Sequence, residues 1–255
     1  MKHLKKITLL LAIFGLLFSI SCGSDDDGAT VDLSEVEFAF DASNPPIDQT
    51  LITNLSSSGD QNGAQIGGYL NQANFMTAYI SLFQNPSGAE TSNVPIGTCG
   101  GNALVYTYSY SGDGESFTVA YQICETSDSY IFQVFFSEND STPQQFIYAE
   151  QSKSENSGYM ELYGSNIGAS EVENVPVIRY TWEENADGSF NFVVSDSDGG
   201  FVIDINVNAD NSGELSYTFD GSLKYEATWN AAGSAGTYTY YNTDGSVSSS
   251  GAWPS

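Results

Sequence analysis

The sequence predicts a mainly β fold: an antiparallel meander of about twelve strands, forming a curved sheet or partly closed barrel, with one N-terminal amphipathic helix. Three observations carry this. From Ala103 onward, apolar and polar residues alternate with the period of two that a half-buried strand requires. Between those runs stand Asp113-Gly114, Asp187-Gly188, Asp198-Gly199, Asp220-Gly221 and Asp244-Gly245, pairs that tolerate the positive φ of tight hairpins. The 255 residues also include 16 tyrosines and 15 phenylalanines, rings whose bulk suits a β core.

Residues 1–21 read as a targeting segment. Lys2, Lys5 and Lys6 precede or flank the start of an apolar run from Ile7 to Phe18, too short for the roughly 20 residues of a membrane-spanning helix. Ser19-Ile20-Ser21 then leads to Cys22 and to Gly23-Ser24-Asp25-Asp26-Asp27. This arrangement resembles the signal peptide of bacterial lipoproteins, in which the cysteine becomes the acylated first residue. Ser19 departs from that family's usual leucine three positions before the cysteine. Asp25, Asp26 and Asp27 resemble the acidic export signal of Bacteroidota surface lipoproteins; the alternative is that they open a solvated linker. The resemblance implies an outer-membrane location, exposed at the cell surface and anchored by acyl chains such as palmitate on Cys22. It does not extend to the folded domain.

Residues 22–35 are small, acidic and without period, and read as a flexible tether. Residues 36–255 read as a single β-rich domain. Val36 to Phe40 alternates as a short strand would, and Asn44-Pro45-Pro46 ends it. Over 63–83, Ile66, Tyr69, Leu70, Ala73, Met76, Ile80 and Phe83 recur at three- and four-residue intervals, which places them on one helical face. Ser58 or Asp60 caps that helix and Asn85-Pro86 ends it. Gly67 and Gly68 each cost about 1 kcal/mol relative to alanine, so the helix depends on packing against a sheet. Strand runs then follow at 104–110, 117–123, 130–136, 145–152, 158–164, 177–184, 189–195, 200–207, 214–219, 222–229, 235–242 and 246–253. One helix before a long meander resembles, in element order, the half-barrels of bacterial lipoprotein carriers, in which a curved sheet wraps a helix.

Charge narrows the function. The chain has 32 acidic and 6 basic residues, a net charge of −26. Three of the basic residues precede Cys22, so Lys153, Arg179 and Lys224 are the cations of the remainder. Nucleic acid is excluded as a partner because phosphate binding needs a basic patch. An anionic membrane surface is excluded for the same reason, leaving the acyl chains on Cys22 as the membrane attachment. The sole histidine is His3, which removes histidine-based catalytic triads and the usual zinc sites. No Gly-x-Ser-x-Gly elbow and no phosphate-binding glycine loop occurs.

The expectation is a protein that is not an enzyme, with a ligand-binding or assembly role toward a glycan or an apolar ligand. Two alternatives stand beside it. One is a structural or adhesive envelope protein. The other is a glycan-active enzyme using paired carboxylates, for which Glu161, Glu183, Glu214 and Glu226 lie in predicted strands. Tyr238, Tyr240 and Tyr241 suit either sugar stacking or sheet packing. No cofactor is expected; calcium at Asp196-Ser197-Asp198-Gly199-Gly200 is the alternative to a plain hairpin turn there. With Cys22 acylated, Cys99 and Cys124 are the remaining thiols, and export predicts a disulfide between them.

Overall fold

The computed structural model describes residues 31–254, apart from 41–42, 44, 84–88, 98, 100–101, 113–114, 140 and 165–174. Cys22 and Asp25 to Asp27 lie outside the described residues. Among the described residues, thirteen antiparallel strands follow one another in chain order across one sheet. They are β1 Glu90–Ser92, β2 Ala103–Gly112, β3 Glu115–Glu125, β4 Ser129–Glu138, β5 Gln144–Ser152, β6 Ser157–Tyr163 and β7 Pro176–Glu184, then β8 Phe190–Asp196, β9 Phe201–Val207, β10 Gly213–Phe219, β11 Ser222–Trp229, β12 Gly236–Tyr241 and β13 Val247–Trp253. The sheet does not close: among the described residues β1 and β13 are its two edges, in keeping with the expected curved meander.

Several hairpins repeat one five-residue device. In Asn185 to Ser189, Asn208 to Ser212 and Asn242 to Ser246, the third-position aspartate accepts from the serine N–H at 2.9 Å and from its hydroxyl at 2.6–2.7 Å. These donors hold the carboxyls of Asp187, Asp210 and Asp244 below the usual aspartate range. The fourth position takes positive φ, 79° at Gly188, 71° at Asn211 and 81° at Gly245.

The helical region differs from the expected single helix. The chain forms α1 Gln49–Ser56, α2 Gln61–Asn74 and α3 Met76–Ile80, followed by a 3-10 turn, Ser81–Phe83. Asp60 caps α2 by accepting from Asn62 N–H at 2.8 Å. The break falls at Phe75, which is exposed. There the Thr77 hydroxyl donates to the Asn74 carbonyl at 2.7 Å, and Ala78 N–H reaches Phe75 O in a three-residue step. The Asn74 side chain is buried and brackets Ile47, donating to its carbonyl at 2.7 Å and accepting from its N–H at 3.0 Å. Helix α1 buries Leu51, Ile52 and Leu55, a stripe too short to show a period. It crosses α2 where Gly63 and Gly67 have no side chain: a Cβ there would lie 3.1 Å from Leu55 O and 3.2 Å from Ile52 O respectively.

Residues 36–40 do not form the expected strand. They run as an extended strap over the sheet, with Ala39 N–H donating to Gln151 Oε1 at 2.8 Å. Phe38 lies 5.1 Å from Phe132 on β4 and 5.3 Å from Trp182 on β7, ring centre to ring centre. Strands three apart in a flat sheet are about 14 Å from each other, so one ring touches both only because the sheet curls around it. The strap, the helices and alternate residues of β2 to β13 form one core on this inner face. The compact unit begins at Leu33, a buried residue three positions before the boundary read from the sequence.

A smaller cluster lies on the outer face, where Ile96 covers Val105, Ala120 and Phe135. The buried Gln122 grips the covering loop, accepting from Ile96 N–H at 2.6 Å and donating to Ile96 O at 3.2 Å. The expected disulfide is present: Cys99 and Cys124 are bonded, with Cα atoms 5.9 Å apart.

Candidate outer-face groove

Register decides which side chains meet on the outer face. Asp204, Ser216, Glu226 and Thr239 stand opposite one another across β9, β10, β11 and β12. The row beside it is Asn206, Glu214, Thr228 and Thr237. Because neighbours along a strand alternate between faces, both rows point outward while Ile205, Leu215 and Ala227 between them point into the core. The eight side chains line a groove of 410 Å³.

Its chemistry is oxygen-rich. The Thr228 and Thr237 hydroxyls are 2.8 Å apart. Asn191 on β8 donates to Asp204 Oδ1 and to Asn206 Oδ1, each at 2.9 Å, and so fixes one end. At the other side, the Tyr241 hydroxyl donates to Glu226 Oε2. That bond to a carboxylate raises the Tyr241 pKa, since losing the proton would set two negative charges together. The side chains of Glu214, Ser216 and Thr239 make no hydrogen bond or ion pair among the described residues.

The four carboxylates read from the sequence separate into two groups. Glu214 and Glu226 share the groove as diagonal neighbours, Glu226 facing Ser216 and Glu214 facing Thr228. Glu161 is on the outer face but elsewhere: Arg179 Nη1 lies 2.7 Å from its Oε1 and the Tyr163 hydroxyl donates to its Oε2 at 2.9 Å. Glu183 is exposed near the end of β7, opposite Ser157 and Asn191. Of the tyrosines, only Tyr241 faces the groove side. Tyr238 and Tyr240 face inward, Tyr240 donating to Gln65 Oε1 at 2.6 Å and packing 4.8 Å from Tyr225.

The Asp196 to Gly200 segment forms the β8–β9 turn, with Asp196 Oδ1 accepting from Phe201 N–H at 3.0 Å and Gly199 at φ 68°. No group of three acidic, cysteine or histidine side chains placed to hold a metal occurs among the described residues. No described helix is long and apolar enough to cross a membrane.

The sequence reading missed the groove as a unit, although its signal was present: polar residues at alternate positions in each of β9 to β12. Only register shows that the two outward rows run side by side. A scan against protein-family models gives no match to this chain, and a search of curated proteins gives none either.

Proposed function

We propose that this chain is a non-catalytic, lipid-anchored protein of the bacterial outer membrane whose outer sheet face binds a glycan. The groove over β9 to β12 carries the reading. It offers carboxylate, amide and hydroxyl oxygens in two rows, while helices and the strap pack over much of the inner face. Sugar hydroxyls both donate and accept, and a carboxylate is the stronger partner for a donated hydroxyl proton. Glu214, Ser216 and Thr239 leave such positions unengaged. The anchor rests on the lipoprotein-like residues around Cys22, and surface exposure on Asp25 to Asp27.

Binding is tested with the full-length protein in detergent micelles, titrated calorimetrically against soluble oligosaccharides with product chromatography in parallel. Glu214→Ala removes an exposed acceptor without touching the core, so it should weaken binding about ten-fold or more while leaving the melting temperature unchanged. Equal affinity in that variant would remove the groove from consideration, and shortened oligosaccharides would favour the paired-carboxylate enzyme. For the anchor, Cys22→Ala should move the protein out of the membrane fraction, and unchanged sedimentation with membranes would refute acylation at Cys22.

A further inference from the structure

A second pocket, of 290 Å³, opens on the inner face between the strap, the 3-10 turn after α3 and strands β2 and β3. Its walls are aromatic. Phe83 stacks on Tyr121 at 5.5 Å, Tyr121 stacks on Tyr106 at 5.8 Å, and Phe38 packs 5.3 Å from Phe83. Tyr121 is 5% exposed, yet its hydroxyl makes no hydrogen bond among the described residues. The hydroxyl is open to the pocket, so a polar atom arriving there gains a hydrogen bond by meeting it. Burial raises the Tyr121 pKa far above the ordinary tyrosine value, which keeps this hydroxyl neutral. The rim carries an exposed carboxylate, Glu37.

We propose that this pocket binds a small aromatic amine in its protonated form. Ring faces attract a cation, Glu37 adds a negative charge at the mouth, and the chain's net charge of −26 repels anions from the whole surface. The ligand's ring fits among Phe38, Phe83 and Tyr121, and an N–H group donates to the Tyr121 hydroxyl oxygen. The pocket volume of 290 Å³ falls just below the roughly 300–1,000 Å³ typical of small-molecule sites, which suits one or two fused rings. This site lies on the opposite face from the outer groove and stands or falls independently of glycan binding.

The probe is tryptamine, with indole-3-acetate as the anion built on the same ring system. Both are titrated calorimetrically into the full-length protein in detergent micelles, with protein-free micelles as the blank. Tryptamine should bind saturably at one site per chain, and indole-3-acetate at least ten-fold more weakly. Tyr121→Phe should weaken tryptamine about five-fold by deleting one hydrogen bond. Val36→Trp, a substitution on the rim that fills the pocket, should abolish the saturable heat. It carries the test alone if Tyr121→Phe does not fold. No saturable binding, equal affinity for the two indoles, or undiminished binding in Val36→Trp would each overturn the proposal.

Discussion

Glycine shows how one substitution changes sign with its surroundings. Each of the chain's three tryptophans stands opposite a glycine on the neighbouring strand: Trp182 opposite Gly158, Trp229 opposite Gly213 and Trp253 opposite Gly236. The indole occupies the space a side chain would take. A Cβ on Gly213 would lie 2.5 Å from Trp229 Cζ2 and 2.3 Å from Asn206 O, and Trp229 is further held by donating to Asn211 O at 2.9 Å. Gly213→Ala should therefore destabilise the protein by about 1–3 kcal/mol, the usual cost of overpacking a core. Gly68 is the opposite case, inside α2 with open space around the Cβ direction. Gly68→Ala should stabilise by about 1 kcal/mol through helix propensity. Urea denaturation of both variants checks this, and two shifts of the same sign would contradict it. The sequence shows every glycine and tryptophan, but the pairs lie 16 to 24 positions apart and become partners only through register. Gly67, read there as a propensity cost, is one of the close-approach points for α1.

Among the elements, the loop over 93–97 takes its support from the sheet beneath it. It contributes Ile96 to a small outer-face cluster and is otherwise held by Gln122 and by the Cys99–Cys124 bond. A bridge across 25 positions stabilises by roughly 3 kcal/mol through the unfolded chain's lost freedom. The Cys99→Ser, Cys124→Ser double variant should lose about that much in urea denaturation, and its β1–β2 region should show faster amide exchange than the rest of the sheet. An unchanged midpoint would mean that the Gln122 contacts alone hold the loop. This bond was legible because cysteine counting needs no geometry. Most strands were legible too, since runs such as β7, β8, β9 and β11 alternate between inward and outward residues. The strap was not: Phe38 and Phe40 carry the alternation of a strand, but their rings enter the core between curled strands and the backbone joins no ladder. Helix α1 was missed because eight residues give only three apolar positions, too few to establish a period.

At the scale of the molecule, a curled sheet buries several of its tyrosines, Tyr121, Tyr180 and Tyr225 among them, which makes stability sensitive to alkali. Tyr180 is pushed up to about 12, chiefly by burial, and burial also raises Tyr121 and Tyr225 well beyond the ordinary value of 10.0. In the unfolded chain these hydroxyls lose their protons near pH 10. Between that pH and the raised folded values, the unfolded state binds fewer protons than the native state, so stability falls as pH rises. Below the unfolded value both states are protonated, and these groups contribute no slope. The surrounding charge acts in the same direction, because each tyrosinate formed adds to a chain already at −26. Urea midpoints should therefore be level for these groups from pH 8 to 9 and drop through pH 10 to 11, each buried tyrosine contributing up to about 1.4 kcal/mol per pH unit. Tyr180→Phe, which keeps the ring and removes the titrating proton, should make that fall shallower by up to one proton's worth of slope. A midpoint that stays level through pH 11, or a Tyr180→Phe profile parallel to the parent, would show that the buried hydroxyls are not what the alkaline transition titrates.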